Sequence, residues 1–349
     1  MGECLKCGQC LSSCPVYKTL RDEAFSPRAK VSLSDQGGEL YRKRLLQSCL
    51  LCGGCQKSCS GGLKTTDLFL EARKRFSRSL PVSKRAALFV FRRPWLDLAR
   101  AFPLHRLLSP FSRPRGRSPS LSRSQGGERV LLFPGCLSRY LFPEILRSAL
   151  RLLTSIGYSP VVPPFDCCGF APLSAGMQER FERLKRTNTQ LRERAGGGAV
   201  VTLCPTGYHT LTSLYGWGDV FSLPEFLKAH GGGMLETLRA DGRRIALHLS
   251  CHTQNFHPRA NLLEEILRDL PGVDLQVPQE RRCCGFGGSF AVSNLELSER
   301  IARENIANFD QGAEVITDCP GCALQIGRRR KVSHVAVFLD SLARGFDEL

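Results

Sequence analysis

Two runs of four cysteines with identical spacing constrain this chain more than any other feature. The runs are Cys4, Cys7, Cys10 and Cys14, followed by Pro15, and then Cys49, Cys52, Cys55 and Cys59. Both follow the pattern C-x2-C-x2-C-x3-C, which is typical of loops that wrap a [4Fe–4S] cube. The tight x2 spacing lets backbone turns bring three thiolates onto one small centre. The chain is therefore expected to carry single electrons.

The two runs are expected to exchange their last cysteines. In proteins with two such runs, the fourth cysteine of each run ligates the other cluster. The first expected set is Cys4, Cys7, Cys10 and Cys59, and the second is Cys49, Cys52, Cys55 and Cys14. Ser60 stands where a proline would usually follow, which affects chain direction and not ligation. Structural zinc is the alternative, but zinc sites usually use two separated C-x2-C pairs.

Composition excludes several classes of protein. The 17 cysteines at cluster spacing favour a reducing cytoplasm over a disulfide framework. The sequence contains no run of about 18 apolar residues, so no membrane span is predicted. A motif that starts at Cys4 leaves no room for a signal peptide. The net charge of +17 is concentrated in one segment, so no nucleic-acid surface is expected.

The last two thirds of the chain contain one pattern twice. Residues 129–136 resemble 244–251, the Cys-Cys-Gly-Phe segment at 167–170 recurs at 283–286, and Cys204-Pro205 recurs as Cys319-Pro320, with offsets of 115, 116 and 115 residues. Such constant spacing indicates two copies of one unit.

Each copy alternates apolar strands with helices. In the first copy the expected strands are Val130–Phe133, Pro160–Pro164 and Ala199–Leu203, and the expected helices are Glu144–Ile156 and Gln178–Arg194. This alternation predicts a parallel α/β sheet. The repeat cysteines follow strands, so we expect them at the carboxyl edge of the sheet, where such folds bind ligands.

The second copy carries five cysteines in the pattern C-x31-CCG-x33-C-P-x-C. They are Cys251, Cys283, Cys284, Cys319 and Cys322. Two adjacent cysteines cannot easily place both thiolates on one cube, so five converging thiolates indicate a more open centre.

This pattern, and the phrase from Cys283 to Phe290, resemble the cysteine-rich CCG domain. That domain is shared by heterodisulfide reductase subunits, the glycolate oxidase iron–sulfur subunit, lactate-utilisation proteins and anaerobic glycerol-3-phosphate dehydrogenase. The resemblance covers essentially the whole chain, with a doubled ferredoxin motif first and two CCG units after it. It implies that the five cysteines are catalytic and bind a non-cubane [4Fe–4S] cluster.

The first copy departs from the family pattern. Gly207 stands where a cysteine is expected, which leaves Cys136, Cys167, Cys168 and Cys204. These four could hold a modified cluster, a zinc ion or nothing, the last being a decayed half kept for packing. Nearby, His209 and His252 could tune a cluster or carry a proton, although neutral loop histidines are commoner.

The expected fold is a multidomain α+β protein. Residues 1–76 form an α-helical ferredoxin domain with two [4Fe–4S] clusters, and Glu39–Gln47 and Leu63–Phe76 are expected helices. Residues 77–128 form a basic amphipathic segment and a flexible linker. Residues 129–243 and 244–349 are the two CCG repeats, each with a parallel sheet.

The basic segment is a candidate for a surface contact. Between Arg73 and Arg129 there are 15 Lys/Arg against Asp97 and Glu128. Trp95 and phenylalanines interleave with arginines in residues 79–108, as in a helix that lies in a membrane interface. A peripheral position at the inner face of the membrane is one interpretation, and a docking surface for a partner subunit is the other.

The motif order favours an electron-transfer subunit. No flavin or nicotinamide fingerprint is found, and the glycine runs at 196–198 and 231–233 do not fit one. The expected partner is therefore an FAD-linked oxidase or dehydrogenase of a 2-hydroxy acid such as glycolate or lactate, or a cytochrome. A catalytic thiol–disulfide reductase subunit and a stand-alone electron relay are the alternatives.

The doubled cysteine runs predict about eight irons in residues 1–76. Anaerobically reconstituted chain should be brown, and on reduction it should give the EPR signals of cubane clusters. Colourless, zinc-loaded protein would contradict this assignment.

Overall fold

The structure is a computed structural model that describes residues 4–32, 39–75 and 127–345. Within these ranges, no helix combines the length and the apolar character needed to cross a bilayer. Residues 79–108, in which aromatic and basic residues interleave, lie outside the described residues, and so does most of the expected linker.

The N-terminal part is built from short helices around the two cysteine loops. They are Gln9–Ser13 (α1), Pro15–Leu20 (α2), Pro27–Ser32 (α3), Glu39–Gln47 (α4), Gly54–Lys57 (α5) and Thr65–Lys74 (α6), with a 3₁₀ turn at Glu23–Phe25. Pro15 occupies the first turn of α2, where its missing N–H costs nothing. Helix α4 has the expected bounds, and α6 begins two residues later than expected.

The first CCG copy is a four-stranded parallel sheet with helices between its strands. Its elements are Glu128–Phe133 (β1), Gly135–Tyr140 (α7), Pro143–Ser155 (α8), Tyr158–Val161 (β2), Phe170–Ser174 (α9), Gln178–Arg194 (α10), Val200–Thr202 (β3), Pro205–His209 (α11), a π-helical turn at Thr210–Leu214, Val220–Ser222 (β4), Leu223–His230 (α12) and Gly232–Thr237 (α13). The strand order is β2-β1-β3-β4.

The second copy repeats this architecture. Its elements are Arg244–His248 (β5), Cys251–Phe256 (α14), Leu262–Arg268 (α15), Asp274–Gln276 (β6), Ser289–Ser293 (α16), Leu295–Ile306 (α17), Glu314–Thr317 (β7), Pro320–Ile326 (α18), Val332–His334 (β8) and Val335–Arg344 (α19). The strand order is β6-β5-β7-β8, again all parallel. The expectation of two parallel α/β units after a helical ferredoxin-type part is thus confirmed.

Each sheet has one strand more than the sequence pattern indicated. Strands β4 and β8 contain three residues each, and both lead directly into a helix. No turn separates either strand from the helix that follows, so the sequence shows no separate strand pattern there. Strand β2 also ends at Val161, three residues before the expected end at Pro164.

The two copies pack around an approximate two-fold axis. Helix α8 of the first copy packs on α19 of the second, and the equivalent helix α15 of the second packs on α12 of the first. One core cluster is shared by both copies and includes Leu153, Phe226, Leu267 and Phe338. The carboxyl ends of both sheets meet as well, because α11 contacts α14 and α7 contacts α18.

The N-terminal part is docked on both copies. The Arg73 guanidinium donates to the carbonyls of Leu46, Cys49 and Ser174, which joins the second cysteine loop to the first copy. On the second copy, Asn294 Nδ2 donates to Gln47 O at 3.0 Å. The assignment of Arg73 to a basic segment that forms a surface contact is wrong. Its side chain is buried, and its N–H groups donate to carbonyls within the protein.

Removal of the Asp340 carboxylate should destabilise the interface between the copies. This side chain is 2% exposed and accepts hydrogen bonds from Ser148 Oγ at 2.9 Å and Arg151 Nε at 2.8 Å. We expect Asp340→Ala to lower the free energy of unfolding by about 2–3 kcal/mol, since hydrogen bonds to charged groups are worth about 1.5–3 kcal/mol.

The pseudo-symmetric helix pair provides a matched control. There, Lys228 Nζ lies 3.1 Å from Asp269 Oδ2 on the surface. Asp269→Ala should cost at most about 1 kcal/mol. Denaturant unfolding of the two variants at equal iron content measures the difference, and equal losses would contradict the assignment.

Candidate metal centres

Two cavities in the N-terminal part are lined by the two expected thiol sets. Cys4, Cys7, Cys10 and Cys59 line the first, and Cys14, Cys49, Cys52 and Cys55 line the second. Their empty volumes are similar, about 420 and about 390 Å³ with open solvent at their mouths included. Cys55 also lines the first cavity, so the two sites are neighbours. Cys59 thus lies with the thiols of the first loop, and Cys14 with those of the second.

The two cysteine loops share one unusual backbone path. Lys6 and Leu51, each just before the second cysteine of its run, have φ of 53° and 54°. Gly8 and Gly53, each just after that cysteine, have φ of 82° and 79°. A left-handed residue other than glycine costs about 1–2 kcal/mol, and the same two strained positions recur 45 residues apart. This path folds three thiols of each run around one cavity.

Buried cations surround the second cavity. Lys30 lines it, is 2% exposed, and donates from Nζ to Phe25 O at 2.6 Å. The Arg73 guanidinium lies behind Cys49, whose carbonyl it binds at 2.6 Å. Burial raises the pKa of the Cys14 thiol, and the Lys30 charge acts in the opposite direction. Two cations bonded to neutral carbonyls suit a site that holds an anionic thiolate centre.

The first cavity is more exposed than the second, and different groups surround its thiols. Arg28 lines it but pairs with Glu23 at 2.6 Å. The Cys7 side chain is exposed, and backbone N–H donation from Gln9, followed by the Ser60 hydroxyl at 3.5 Å, lowers the pKa of its thiol. Ser60, which stands where proline is usual, therefore also contacts a candidate ligand.

All five expected cysteines of the second copy lie close together, each with its thiol near that of another. Cys251 begins α14, Cys319 precedes α18, and Cys322 lies in its first turn. Cys283 and Cys284 lie in the loop that follows β6 and returns to the carboxyl edge. The thiols of Cys284 and Cys322 are 3.2 Å apart.

Hydrogen bonds among these thiols connect the rest of the set. The thiol of Cys251 lies close enough to that of Cys283 to shift its pKa, and the same holds for Cys283 with Cys284 and for Cys319 with Cys322. Hydrogen bonding with the Cys283 and Cys322 thiols lowers the pKa of Cys284 to about 6.

The first copy gathers only four thiols. The Cys167 thiol lies close enough to those of Cys136 and Cys168 to raise the pKa of both. The N–H of Gly169 donates to Cys167 Sγ at 3.4 Å, and the N–H of Gly285 donates to Cys283 Sγ at the same distance. The adjacent pairs are thus held alike in both copies, although the first copy lacks the cysteine at Gly207.

The two copies meet at a pair of equivalent cysteines. The Cys204 thiol donates to Cys319, which lowers the pKa of Cys319 and raises that of Cys204. These residues occupy the same position in the two repeats, so their contact lies at the approximate two-fold axis. No sequence pattern indicated this contact, because intervals along the chain do not specify how the copies pack.

The two candidate histidines lie at the junction of the three parts. His252 Nδ1 lies 2.7 Å from Thr206 Oγ1, and the His209 ring stacks on Phe256 at 3.9 Å between centroids. Burial lowers the pKa of His209 to about 3 and that of His252 to about 4. Both imidazoles are therefore neutral near pH 7.

Three charged or polar residues near the thiols were missed from the sequence. Lys30, Arg73 and His248 are each buried beside a candidate ligand. A lysine or arginine on a short helix is normally exposed to solvent, so the residue types of Lys30 and Arg73 did not predict their burial beside a thiol. For His248 a signal existed, because the equivalent residue of the first copy is Phe133.

The donor sets fit iron–sulfur clusters. Each N-terminal cavity is lined by at least four thiols without a competing carboxylate, and soft thiolates select iron–sulfur or zinc centres. Backbone N–H groups donate to Cys49 and Cys14 at 3.4 and 3.5 Å, as expected around thiolate ligands.

Comparison with known proteins agrees with this architecture. Residues 1–63 match the 4Fe-4S dicluster domain, and residues 130–212 and 245–327 each match the cysteine-rich domain of the CCG family. The fold and thiol sets define an iron–sulfur protein with a dicluster part and a duplicated cysteine-rich part. The chain belongs to the family of CCG-domain iron–sulfur subunits of oxidoreductases.

Several relatives align along nearly the whole chain. One subunit of the fumarate reductase (CoM/CoB) of Methanothermobacter marburgensis is 27% identical, over 93% of this chain and 67% of that protein. The glycolate oxidase iron-sulfur subunit of Escherichia coli strain K12 is 25% identical, over 95% and 90%. One subunit of the anaerobic glycerol-3-phosphate dehydrogenase of the same strain is 23% identical, over 93% of each.

Restoring the missing cysteine should increase metal binding by the first copy. A Cβ at Gly207 would lie 3.7 Å from Cys204 Cβ and 3.0 Å from Thr202 Oγ1, which needs only a small shift of the hydroxyl. We expect Gly207→Cys to raise the iron content by up to about four per chain. Gly207→Ser is the size-matched control without a thiol. Equal iron contents in the two reconstituted variants would show that the fifth cysteine is not what the first copy lacks.

Proposed function

We propose that this chain is the iron–sulfur electron-transfer subunit of a flavin-dependent 2-hydroxy acid dehydrogenase. A partner flavoprotein oxidises glycolate, lactate or a similar acid. Electrons pass through the two N-terminal sites to the second CCG copy and then to a quinone or another acceptor. The observation that carries this proposal is the continuous series of thiol sets from the exposed first cavity to the buried carboxyl edge of the second copy.

The series begins with the two N-terminal sites. The exposed Cys7 marks the end of the series nearest to solvent, and Cys55 lines both cavities. Electrons from a docked partner can therefore enter at the first site and reach the second without crossing a thick layer of protein.

The second site abuts the CCG copy through helix α14. Cys52 lies close enough to Cys251 and Cys283 for these thiols to raise its pKa, although burial is the larger cause. Asn255 Nδ2 donates to Cys52 O at 2.8 Å and so holds α14 against the cysteine loop. The glycine at 53 is required there, because a Cβ would lie 2.4 Å from the Phe256 ring.

The ligand assignment follows the three sets. Cys4, Cys7, Cys10 and Cys59 would hold one cubane cluster, and Cys14, Cys49, Cys52 and Cys55 the other. Cys251, Cys283, Cys284, Cys319 and Cys322 would hold a non-cubane [4Fe–4S] cluster. Such clusters supply one-electron oxidation and reduction at potentials set by charge, hydrogen bonds and exposure. Lys30 and Arg73 stabilise additional negative charge at the second site, which favours its reduction.

The partner and the membrane contact are supported by different observations. Subunits named for glycolate oxidase and glycerol-3-phosphate dehydrogenase are among the relatives, which supports a separate catalytic subunit. The interleaved aromatic and basic residues of 79–108 support a peripheral contact with the inner face of the membrane. A cytoplasmic chain in that position would lie next to the quinone pool.

The test is substrate-dependent reduction of the complex. The complex that is isolated anaerobically with the full chain, from cells that express it with its natural partners, should contain flavin. Glycolate or lactate should bleach its iron–sulfur absorbance, and a short-chain quinone should restore it. Cys283→Ser should abolish quinone reduction, whereas the equivalent change Cys167→Ser in the first copy should have a milder effect.

Two results would overturn the proposal. Equal losses of activity and iron in Cys283→Ser and Cys167→Ser would contradict the distinct role of the second copy. Reoxidation of the reduced chain by a disulfide but not by a quinone would favour the thiol–disulfide reductase.

A further inference from the structure

His248 lies among the cysteines of the second copy without being part of their motif. It ends β5 and is 3% exposed. One ring nitrogen and the Sγ atoms of Cys284 and Cys322 all lie within 4.8 Å of one another. Imidazole and thiolate are the usual ligand pair of zinc, and both also ligate iron in iron–sulfur proteins.

The hydrogen bonding of this imidazole is incomplete. Nδ1 meets the Asn305 amide at 3.4 Å, and Nε2 has no hydrogen-bond partner among the described residues. A buried polar atom without a partner is unfavourable for folding. A metal centre beside the ring would satisfy a nitrogen that the protein leaves unsatisfied.

The first copy provides an internal comparison. Phe133 pairs with Thr202 in its sheet just as His248 pairs with Thr317, so the two side chains occupy equivalent positions. The ring of Phe133 packs on Phe165 at 5.0 Å between centroids. The copy without the imidazole is also the copy without the fifth cysteine, because Gly207 replaces the residue equivalent to Cys322. The histidine and that cysteine are thus present together or absent together.

We propose that His248 is a nitrogen ligand of the metal centre in the second copy, beside Cys284 and Cys322. The centre therefore has a mixed nitrogen–thiolate ligand set, and its iron nearest to β5 is bound differently from the others. This inference rests on the proposed function only in that iron–sulfur clusters occupy the second copy.

Nitrogen hyperfine coupling tests this assignment directly. The full chain is labelled with ¹⁵N-histidine, reconstituted anaerobically with iron and sulfide, and examined by pulsed EPR. A strong coupling to histidine nitrogen, of the size found for a directly bound imidazole, is expected in the wild type. His248→Phe, which installs the residue of the first copy, should lose this coupling while the cubane signals persist.

A second buried histidine serves as the matched control. His252 is 8% exposed and adjoins Cys251, so it is another buried imidazole near this centre. His252→Phe should retain the coupling. Loss of the coupling in His252→Phe, or a wild-type spectrum with only weak nitrogen coupling, would overturn the proposal. The wild-type spectrum alone can show whether histidine nitrogen is bound, so a poorly folding variant does not prevent a result. Failure of the metal centre to form at all would count against the proposed function instead.

Discussion

The buried guanidinium of Arg73 connects the parts on which the thiol array depends. Its donors bind carbonyls from the end of α4, from the second cysteine loop and from the end of α9. A buried cation without a carboxylate is costly, and burial accordingly lowers the pKa of Arg73, whereas the nearby Cys49 thiolate acts to raise it. This arrangement is favourable only beside a negative centre, so the interface between the N-terminal part and the first copy is coupled electrostatically to the second site.

The two CCG copies separate what the fold needs from what the chemistry needs. Strand order, the Gly169 and Gly285 bonds to sulfur, and the reciprocal helix contacts are retained in both copies. Two equivalent positions differ in metal-ligating capacity, Gly207 against Cys322 and Phe133 against His248, and both lie at the carboxyl edge of their sheet. A duplicated unit can therefore lose ligands without losing its packing role, because its core is formed jointly with the other copy.

Much of this structure could be predicted from the sequence. The exchange of Cys14 and Cys59 was predicted because proteins with two such runs use the fourth cysteine of each run for the other cluster, and each of the two cysteines lines the cavity of the other run. The parallel sheets followed from alternating strands and helices. The short strands β4 and β8 were missed because each runs directly into a helix, so no separate strand pattern marks it. Lys30, Arg73 and the Cys204–Cys319 contact were missed because they depend on how separate units pack, which no local pattern encodes.

The exchanged cysteines also affect how the protein is made. Each N-terminal cavity draws thiols from both loops, so the second set is complete only once Cys55 has been synthesised, and the first only once Cys59 has been. A nascent chain that ends after the first run presents three thiols of one set and one of the other. Cluster insertion would thereby depend on closure of the N-terminal part, and a chain that terminates before Cys55 contains no complete set of thiols.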